Sequence, residues 1–389
     1  MTIDEHKLTQ QLIFIAVCCP LCYYFIVCGD DKDESFNGCF GERSNLENIS
    51  NVYYTPYKRK EGDPTKPSNP IVLSDGGSRL RANLTGKPDT VHYLCSKKTS
   101  DFYDLLLGRQ YEACFQHHHN VSENAPGVDV EVFGFGNTDT VEWLDSSKWS
   151  PGLYFANIVD ALVSWGYTRG KNVAGAPYDW RKSPPELKDY YIQLRTLIEI
   201  LYRYNNNTRV VVLGHSMGNP IMNYFYHNYV DQTWKDKYVE AHVSLAGAWG
   251  GSLQIMKLFA SGYNMDYYRI ILPPSALRGM QRSFTSSAYL LTEVGPPGVK
   301  VHCLYGIDVK TAEQFVWAKG YFPEYQPTTI VYGDGDGTVN IRSLETCKQW
   351  NESNNAGKSS QIYPLSKADH MGILRDQRTI DTLRSVLYP

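Results

Sequence analysis

The chain has 389 residues, a formal net charge of −3 and 42% hydrophobic residues, a composition typical of a globular protein that can bury a large core. Its charges are spread along the sequence, so no basic region indicates a nucleic-acid partner. At this length a single α/β domain is as reasonable an expectation as two domains.

Near its start the chain carries an apolar segment, residues 12–28, interrupted only by Pro20. This segment is long for the core of a signal peptide and short for a membrane-spanning helix. Residues 1–29 are therefore predicted to be a signal peptide, with an uncleaved signal anchor as the alternative. Either one would direct the chain into the secretory pathway. The polar residues 30–69 predict a linker, so the folded domain is expected at residues 70–389.

Glycosylation and cysteine patterns agree with a chain that enters this pathway. Acceptor sequences Asn-x-Ser/Thr, which are used only in its lumen, start at Asn48, Asn83, Asn120, Asn206 and Asn351. An oxidising compartment would also allow disulfides. Five cysteines lie beyond the apolar segment, enough for two bridges with one thiol left over: Cys39, Cys95, Cys114, Cys303 and Cys347.

Strand and helix patterns alternate through the rest of the chain. Short apolar runs predict buried strands at residues 70–73, 210–213, 242–245, 299–305, 329–332 and 361–365. Apolar residues at helical spacing predict helices at residues 155–162, 187–201 and 376–387. Strands that alternate with helices indicate an α/β fold with a mainly parallel sheet, covered by helices on both faces. Residues 252–297 mix apolar residues with glycine and proline, and are predicted to form an irregular lid and cap.

The stretch from Arg209 to Asn219 carries the strongest functional signal. It begins with a continuous aliphatic run, typical of a parallel strand buried on both faces. The next five residues, Gly-His-Ser-Met-Gly, match Gly-x-Ser-x-Gly, in which the serine occupies a strained turn between a strand and a helix. Apolar residues at helical spacing follow this turn. The order of strand, turn and helix predicts that Ser216 is a nucleophile.

A serine hydroxyl needs a base to take its proton and an acid to orient that base. In hydrolases with this turn, the acid and then the base follow the serine along the chain. Of the histidines after Ser216, His227 falls in a predicted helix, while His242 and His302 fall in predicted strands. His370 falls between the last strand and the last helix, so it is predicted to be the base.

The acid is expected after the strand at residues 329–332, where the sequence reads Gly-Asp-Gly-Asp-Gly-Thr-Val. Asp334 and Asp336 are both candidates, because catalytic groups gather at the C-terminal ends of parallel strands. A calcium loop is the alternative, with Asp334, Asp336 and Glu345 at its first, third and twelfth positions. Val339 occupies the position where that loop needs glycine, and no helix precedes it, so a metal site is disfavoured.

An oxyanion hole needs two backbone N–H groups. One is expected from Met217, which follows the nucleophile, and the other from Asp75 or Gly76 in the loop after the first strand. Two further clusters have simpler interpretations. The three histidines at 117–119 predict a solvated loop rather than a metal site, and the dense polar and aromatic stretch at 176–181 is consistent with a structural ion pair.

In the motifs around Ser216, Asp336 and His370, and in several other stretches, the chain resembles the lecithin:cholesterol acyltransferase family, and most closely its lysosomal phospholipase A2 (group XV) branch. The resemblance extends from about residue 70 to the C-terminus. It rests on residues 92–99, 165–170, 176–181, 215–219, 234–238, 302–306, 333–340 and 369–371. It implies an α/β-hydrolase core with a small membrane-binding subdomain at residues 92–121 and a cap with a lid. It also implies that Asp336, rather than Asp334, is the acid.

The same resemblance implies an activity and its setting. A fatty acyl chain would pass from a glycerophospholipid to Ser216, and then to water or a lipid alcohol such as ceramide or sterol. No cofactor or metal is implied. The implied partners are a phospholipid membrane or lipoprotein surface and a lipid acyl acceptor, for a monomer in the lysosome or outside the cell. Implied disulfides join Cys95 to Cys114 and Cys303 to Cys347, leaving Cys39 unpaired.

Two alternatives to this function remain. One is a neutral lipase or carboxylesterase that acts on other esters, and the other is an inactive lipid-binding relative.

Compared with the family, the segment between Cys95 and Cys114 is short, and so is the cap between Leu291 and Gly295. The sequence therefore predicts that soluble esters are cleaved more readily than phospholipid in vesicles.

Overall fold

The computed structural model describes residues 71–74, 78–83, 99–101, 129–144, 148, 152–263 and 274–388. Several expectations concern the rest of the chain: the signal segment, the linker, the histidines at 117–119 and most of the membrane-binding subdomain. Cys39, Cys95, Cys114, Asn48, Asn120 and the loop that contains Asp75 also lie outside the described residues. Among those described, no helix has the length and apolar character of a membrane span.

A parallel sheet organises the described part of the chain. Its six strands are β1 (Ile71–Ser74), β5 (Ala174–Gly175), β6 (Val210–His215), β7 (Val239–Leu245), β8 (Val301–Ile307) and β11 (Ser360–Ser366). Their spatial order is β11-β8-β7-β6-β1-β5, and each neighbouring pair is parallel. The α/β fold class with a parallel sheet is therefore confirmed.

Shorter strands form two antiparallel sheets beside the central one. β2 (Leu80–Asn83) pairs with β3 (Thr99–Asp101) and β4 (Asp129–Val132), and β9 (Thr311–Val316) pairs with β10 (Thr329–Gly333). The described helices are α1 (Asp139–Glu142), α2 (Ala156–Ser164), α3 (Lys188–Tyr204), α4 (Gly218–Asn228), α5 (Gln232–Tyr238), α6 (Gln254–Ser261), α7 (Pro274–Ser283), α8 (Thr285–Tyr289), α9 (Ile341–Leu344) and α10 (Gln377–Leu387).

Two apolar clusters lie on opposite faces of the central sheet, which explains the unbroken aliphatic run of β6. Val210 and Val212 pack into one cluster, with α3 and α4. Val211 and Leu213 pack into the other, with α2 and α10. Because side chains alternate between the faces of a strand, a strand buried on both faces needs apolar residues at every position. Each such side chain contributes about 1.5–3 kcal/mol on burial.

The strand predicted at residues 329–332 exists, but its expected place in the parallel sheet is wrong. β10 pairs with β9 in an antiparallel hairpin, and Val331 and Tyr332 on it are 43% and 44% exposed. A short run of β-branched and aromatic residues has the same pattern in a buried strand and in an exposed hairpin. The loop after β10 nevertheless returns to the central sheet, where Val309, just beyond β8, forms a parallel bridge with Asp336.

Residues 252–297 were also expected to be irregular, and this is wrong for the described part, which contains α6, α7 and α8. Ile255 and Leu258 are buried on the inner side of α6. Gly262 ends that helix at a φ of 79°, where a Cβ would lie 1.9 Å from the carbonyl oxygen of Pro274. Gly262 follows α6 and Pro274 starts α7, and helices as short as these carry too few apolar positions for a helical spacing to be clear in the sequence.

Candidate active site

The turn between β6 and α4 places Ser216 at the C-terminal edge of the sheet. Ser216 has a φ of 53°, in the left-handed region that costs energy for a residue with a side chain. Its N–H donates to the carbonyl of Leu245 on the neighbouring strand, at 3.0 Å. Gly214 permits this turn, because a Cβ there would lie 2.5 Å from Oδ1 of Asn219. Met217 follows the serine as the N-terminal cap residue of α4.

Ser216, His370 and Asp336 form a line of hydrogen bonds. Nε2 of His370 lies 3.0 Å from Oγ of Ser216, and Nδ1 lies 2.6 Å from Oδ2 of Asp336. The three residues are at most 2% exposed. Since a carboxylate only accepts hydrogen bonds, Nδ1 of the ring carries the proton, which leaves Nε2 as the acceptor that faces the serine hydroxyl.

The other oxygen of Asp336 is also fixed. Oδ1 accepts hydrogen bonds from the backbone N–H groups of Thr338 and Val339, at 3.0 and 2.7 Å. The backbone N–H of His370 donates to the carbonyl of Asp336 at 2.8 Å. The carboxylate can therefore present only Oδ2 to the imidazole, and in one orientation.

The structure separates the two aspartates that the sequence offered. Asp334 is exposed, and its Oδ1 accepts from the N–H groups of Asp308 and Gly335, both at 2.7 Å. Asp334 therefore stabilises the turn, whereas Asp336 contacts the histidine. Glu345 accepts from the hydroxyl of Tyr305 at 3.2 Å. No group of three or more possible metal ligands occurs within the described ranges.

The other histidines have different partners. His227 donates to the carbonyl of Pro296, the ring of His242 lies 2.8 Å from Oδ1 of Asn219, and His302 lies 3.1 Å from the hydroxyl of Tyr363. His370 is thus the histidine that the described structure brings to Ser216.

A small cavity opens beside the serine. The residues that line it together with Ser216 are mostly apolar: Ala248, Ser252, Gln254, Ile255, Leu258, Tyr263, Leu290, Thr338 and Val339. Much of this wall comes from α6 and from the loop after Asp336. A narrow apolar space beside Ser216 suits a hydrocarbon chain better than a polar group.

A comparison with protein-family models matches residues 109–295 and 292–377 to the model described as lecithin:cholesterol acyltransferase. The chain belongs to the lecithin:cholesterol acyltransferase family. The two matched segments meet at residues 292–295, where the sequence predicts a shortened cap.

Curated relatives within the lecithin:cholesterol acyltransferase family agree with this assignment. "Lysosomal phospholipase A and acyltransferase" of Mus musculus is 36% identical over 388 residues, covering 83% of this chain and 92% of the relative. The human protein of that name is also 36% identical, with coverages of 84% and 92%. "Phosphatidylcholine-sterol acyltransferase" of Gallus gallus is 32% identical, with coverages of 85% and 93%. The chain is an enzyme of this family, with an α/β fold built on a parallel sheet.

The solved structures that match the chain are more distant. The mature form of the lipase BlEst2 of Bacillus licheniformis has a TM-score of 0.37 and 13% identity, covering 84% of this chain and 94% of that one. The esterase Pf2001 of Pyrococcus furiosus has a TM-score of 0.34 and 12% identity, with coverages of 60% and 73%.

In this family member a disulfide joins Cys303 on β8 to Cys347, as the resemblance implied. It closes a loop with a sequence separation of 44 residues, and Asp336 lies within that loop. Residues 179–181 contain the ion pair that their composition suggested. Asp179 and Arg181 are each 8% exposed, their side chains approach to 2.6 Å, and the chain beside them is held by a hydrogen bond from Trp180 to the carbonyl of Ser78.

Asn219 has a role at the turn that the sequence did not reveal. Its Nδ2 donates to the carbonyls of Ser216 and Leu245, at 3.0 and 3.3 Å. Its Oδ1 accepts from Nε2 of His242 at 2.8 Å. Asn219 thereby links the strained serine to β7. Its position three residues after the serine was visible in the sequence, but its partners lie 23 and 26 residues away along the chain.

The buried histidines of β7 and β8 predict a loss of stability in acid. Burial lowers the pKa of His242 to about 3, and burial with the nearby Lys300 lowers that of His302 to about 4. The unfolded chain, with histidine pKa values of about 6.5, binds more protons below that pH. The free energy of unfolding therefore falls as the pH drops from about 6.5 toward 4, by about 1.4 kcal/mol per unit for each histidine.

Thermal unfolding measured between pH 7 and pH 4.5 tests this expectation. His302→Gln removes one titrating ring, so its unfolding temperature should depend less steeply on pH than that of the wild type. The free energy of unfolding of the variant, relative to that of the wild type, should be about 2 kcal/mol higher at pH 4.5 than at pH 7. Parallel pH profiles for the two proteins would show that His302 does not contribute.

Proposed function

We propose that this protein is a serine-dependent acyl hydrolase and transacylase, with Ser216 as nucleophile, His370 as base and Asp336 as the acid that orients it. It removes a fatty acyl chain from a glycerophospholipid and passes it to water or to a lipid alcohol such as ceramide or sterol. The observation that carries this proposal is the line of hydrogen bonds from Ser216 through His370 to Asp336, beside an apolar cavity.

The reaction proceeds in two halves. Ser216 Oγ attacks the ester carbonyl carbon while Nε2 of His370 takes the hydroxyl proton. The intermediate then collapses, the bond to the leaving oxygen breaks, and His370 returns that proton to the lysophospholipid. The acyl group stays on Ser216. Water or a lipid hydroxyl then attacks the acyl carbonyl, His370 takes its proton, and the same proton restores the serine hydroxyl.

Two backbone N–H groups stabilise the negative oxygen that forms in each half. We assign one to Met217, which the turn places at the start of α4, and the other to Asp75 in the loop after β1. The positive end of the helix dipole at α4 adds to this stabilisation. Losing one such donor raises the barrier by about 3–4 kcal/mol.

The substrate class follows from the cavity and from the relatives. We place the acyl chain beside Ala248, Ile255, Leu258 and Val339, which give the small space next to Ser216 an apolar lining. The relatives' names describe phospholipase A and acyltransferase activity, and sterol as an acceptor for one of them. We therefore propose that this chain transfers an acyl group from a phospholipid donor to a lipid acceptor.

The setting of the enzyme is proposed on the same grounds. A signal segment at residues 1–29 would deliver it to the lysosome or to the outside of the cell, and the lysosome agrees with the names of several relatives. There a monomer would act at a phospholipid membrane or lipoprotein surface. Of the proposed glycosylation sites, Asn206 and Asn351 are exposed, and Asn83 is partly buried on β2. A second disulfide would join Cys95 to Cys114.

Mixed liposomes of phosphatidylcholine and ceramide test this function. The purified protein should release free fatty acid and lysophospholipid, and should form acylated ceramide, while the Ser216→Ala variant forms none of these. Incubation at acidic and neutral pH, with the lipid products identified by mass spectrometry, gives the acceptor and the pH range. Products from neutral esters alone would favour a carboxylesterase instead.

The same preparation tests docking to the lipid surface. Interfacial binding grows with the apolar area that enters the headgroup region, at about 25 cal/mol per Å². Loss of two large apolar side chains would cost several kcal/mol, or more than about a hundredfold in affinity. Because the segment between Cys95 and Cys114 is short, we expect fast cleavage of a soluble short-chain ester and slow cleavage of liposomal phospholipid. Strong flotation with vesicles and full liposomal activity would contradict this expectation.

A further inference from the structure

His215, the residue before the nucleophile, lies between Tyr154 and the catalytic histidine. Its ring is fully buried. Nδ1 lies 2.5 Å from the hydroxyl of Tyr154, and Nε2 lies 2.8 Å from the backbone carbonyl oxygen of His370. The ring centroids of His215 and His370 are 4.9 Å apart. Both nitrogens of His215 thus have a partner, and one of these partners belongs to the residue that activates Ser216.

The partners determine where the protons lie. A carbonyl oxygen only accepts, so Nε2 of His215 carries a proton and donates it to His370. A neutral imidazole then has Nδ1 as its acceptor, and the hydroxyl of Tyr154 donates to it. Burial, together with the nearby His370, holds the pKa of His215 well below its usual value, so the ring stays neutral. Two hydrogen bonds therefore follow in the same direction: the Tyr154 hydroxyl donates to His215, and His215 donates to the backbone carbonyl of His370.

His370 is consequently held from two sides. Asp336 accepts from its backbone N–H and from its ring at Nδ1. His215 donates to its carbonyl oxygen from the other side. The backbone of His370 is therefore fixed at both polar groups, which sets where its Cα lies. The ring is then held with its Nε2 3.0 Å from Oγ of Ser216.

We propose that Tyr154 and His215 are positioning residues that fix the backbone of His370 and so hold its imidazole against Ser216. This inference rests on the proposed function. Neither residue contacts the reacting atoms, and both act through the carbonyl of His370. Without the Tyr154 hydroxyl, Nδ1 of His215 loses its hydrogen-bond donor, and the tautomer that carries its proton on Nε2 is less strongly favoured. Without that proton, the loop that carries His370 loses its second anchor.

Packing around His215 is a separate contribution that a control variant can isolate. The rings of Tyr154 and Phe155 both meet the ring of His215 edge to face, with centroids 5.5 and 6.4 Å away. Tyr154→Phe keeps the ring and removes only the hydroxyl. Phe155→Leu removes aromatic contact and leaves the hydrogen bonds. His215→Leu removes both hydrogen bonds, whereas His215→Gln keeps a long side chain with an amide donor for the carbonyl of His370.

The experiment measures kcat and KM of the full chain on a short soluble ester, with active sites counted by a fluorophosphonate. Misplacement of a catalytic group by about 1 Å can lower the rate by about a hundredfold. We expect Tyr154→Phe to lower kcat about tenfold and His215→Leu by about 10- to 100-fold, with KM unchanged. His215→Gln should recover most of the lost kcat. Phe155→Leu should lower the unfolding temperature and leave kcat per active site unchanged.

Three outcomes distinguish a failure of this inference from a failure of the proposed function. A wild type that labels at Ser216 and cleaves the ester, beside a Tyr154→Phe variant with the same kcat, would overturn the positioning role alone. Equal losses in His215→Gln and His215→Leu would do the same. A wild type that neither labels nor cleaves would overturn the proposed function, and the inference with it. If His215→Leu does not fold, Tyr154→Phe still decides, because it keeps the packing.

Discussion

Replacing Ser216 with alanine should lower ester and phospholipid turnover by about a millionfold, the loss typical of removing the nucleophile of a serine hydrolase. The acyl enzyme cannot form without Oγ, and His370 then has no hydroxyl to activate. The fold should persist. Alanine and serine both carry a Cβ, so the cost of the left-handed conformation at φ 53° is about the same for each. Activity and the unfolding temperature, measured on the same sample, distinguish chemical loss from misfolding.

A fluorophosphonate tests the same residue in the wild-type protein. The reagent should attach to Oγ of Ser216, because His370 removes the hydroxyl proton and leaves the oxygen nucleophilic. Peptide mapping should find the adduct on the peptide that spans the turn from β6 to α4. An adduct on another serine, or a folded sample that does not react, would refute the assignment.

Asp336→Asn should lower kcat by about ten-thousandfold, and the structure explains why so small a change has so large an effect. The N–H groups of Thr338 and Val339 both point at Oδ1. The asparagine would keep its oxygen there, and its NH2 group would face Nδ1 of His370. The imidazole would then have to accept at Nδ1 and carry its proton on Nε2. In that tautomer it cannot take the proton of Ser216.

Asp334→Asn provides the matched control. It is the same chemical change two residues earlier, on an exposed side chain whose hydrogen bonds within the described residues come from the backbone N–H groups of Asp308 and Gly335. The asparagine oxygen can accept those bonds, so kcat should stay within about twofold of the wild type. Comparable losses in the two variants would mean that the loop, rather than the carboxylate of Asp336, carries the effect.

Local patterns in the sequence were sufficient for the elements that position Ser216. The aliphatic run of β6 and the glycine at 214 predicted the strand and the turn. The apolar spacing at 155–162 and 187–201 predicted α2 and α3, which the structure places at Ala156–Ser164 and Lys188–Tyr204. The position of His370 beyond the last strand of the sheet also followed from the order of elements. These features depend on residues close together in the chain.

Other features depend on contacts that no local pattern contains. The choice between Asp334 and Asp336 needed the path of the chain after β10, or the family resemblance. Tyr154 and His215 are 61 residues apart, and His215 and His370 are 155 apart. The hairpin of β9 and β10 was misplaced because exposure on both faces leaves a short strand with the same residue types as a buried one. The strand with which a segment pairs, rather than its composition, decides whether it lies in the central sheet or in an exposed hairpin.

The order of strands has a consequence for how the enzyme is made. β11 lies at the outer edge of the central sheet as described, and it comes after the other five strands along the chain. A nascent chain that extends only to β8 already contains the serine turn, yet His370 has not been synthesised. A hydroxyl without its base is a poor nucleophile. We therefore expect the chain on the ribosome to be an inert precursor, which becomes able to attack its lipid substrate only after its last strand has docked.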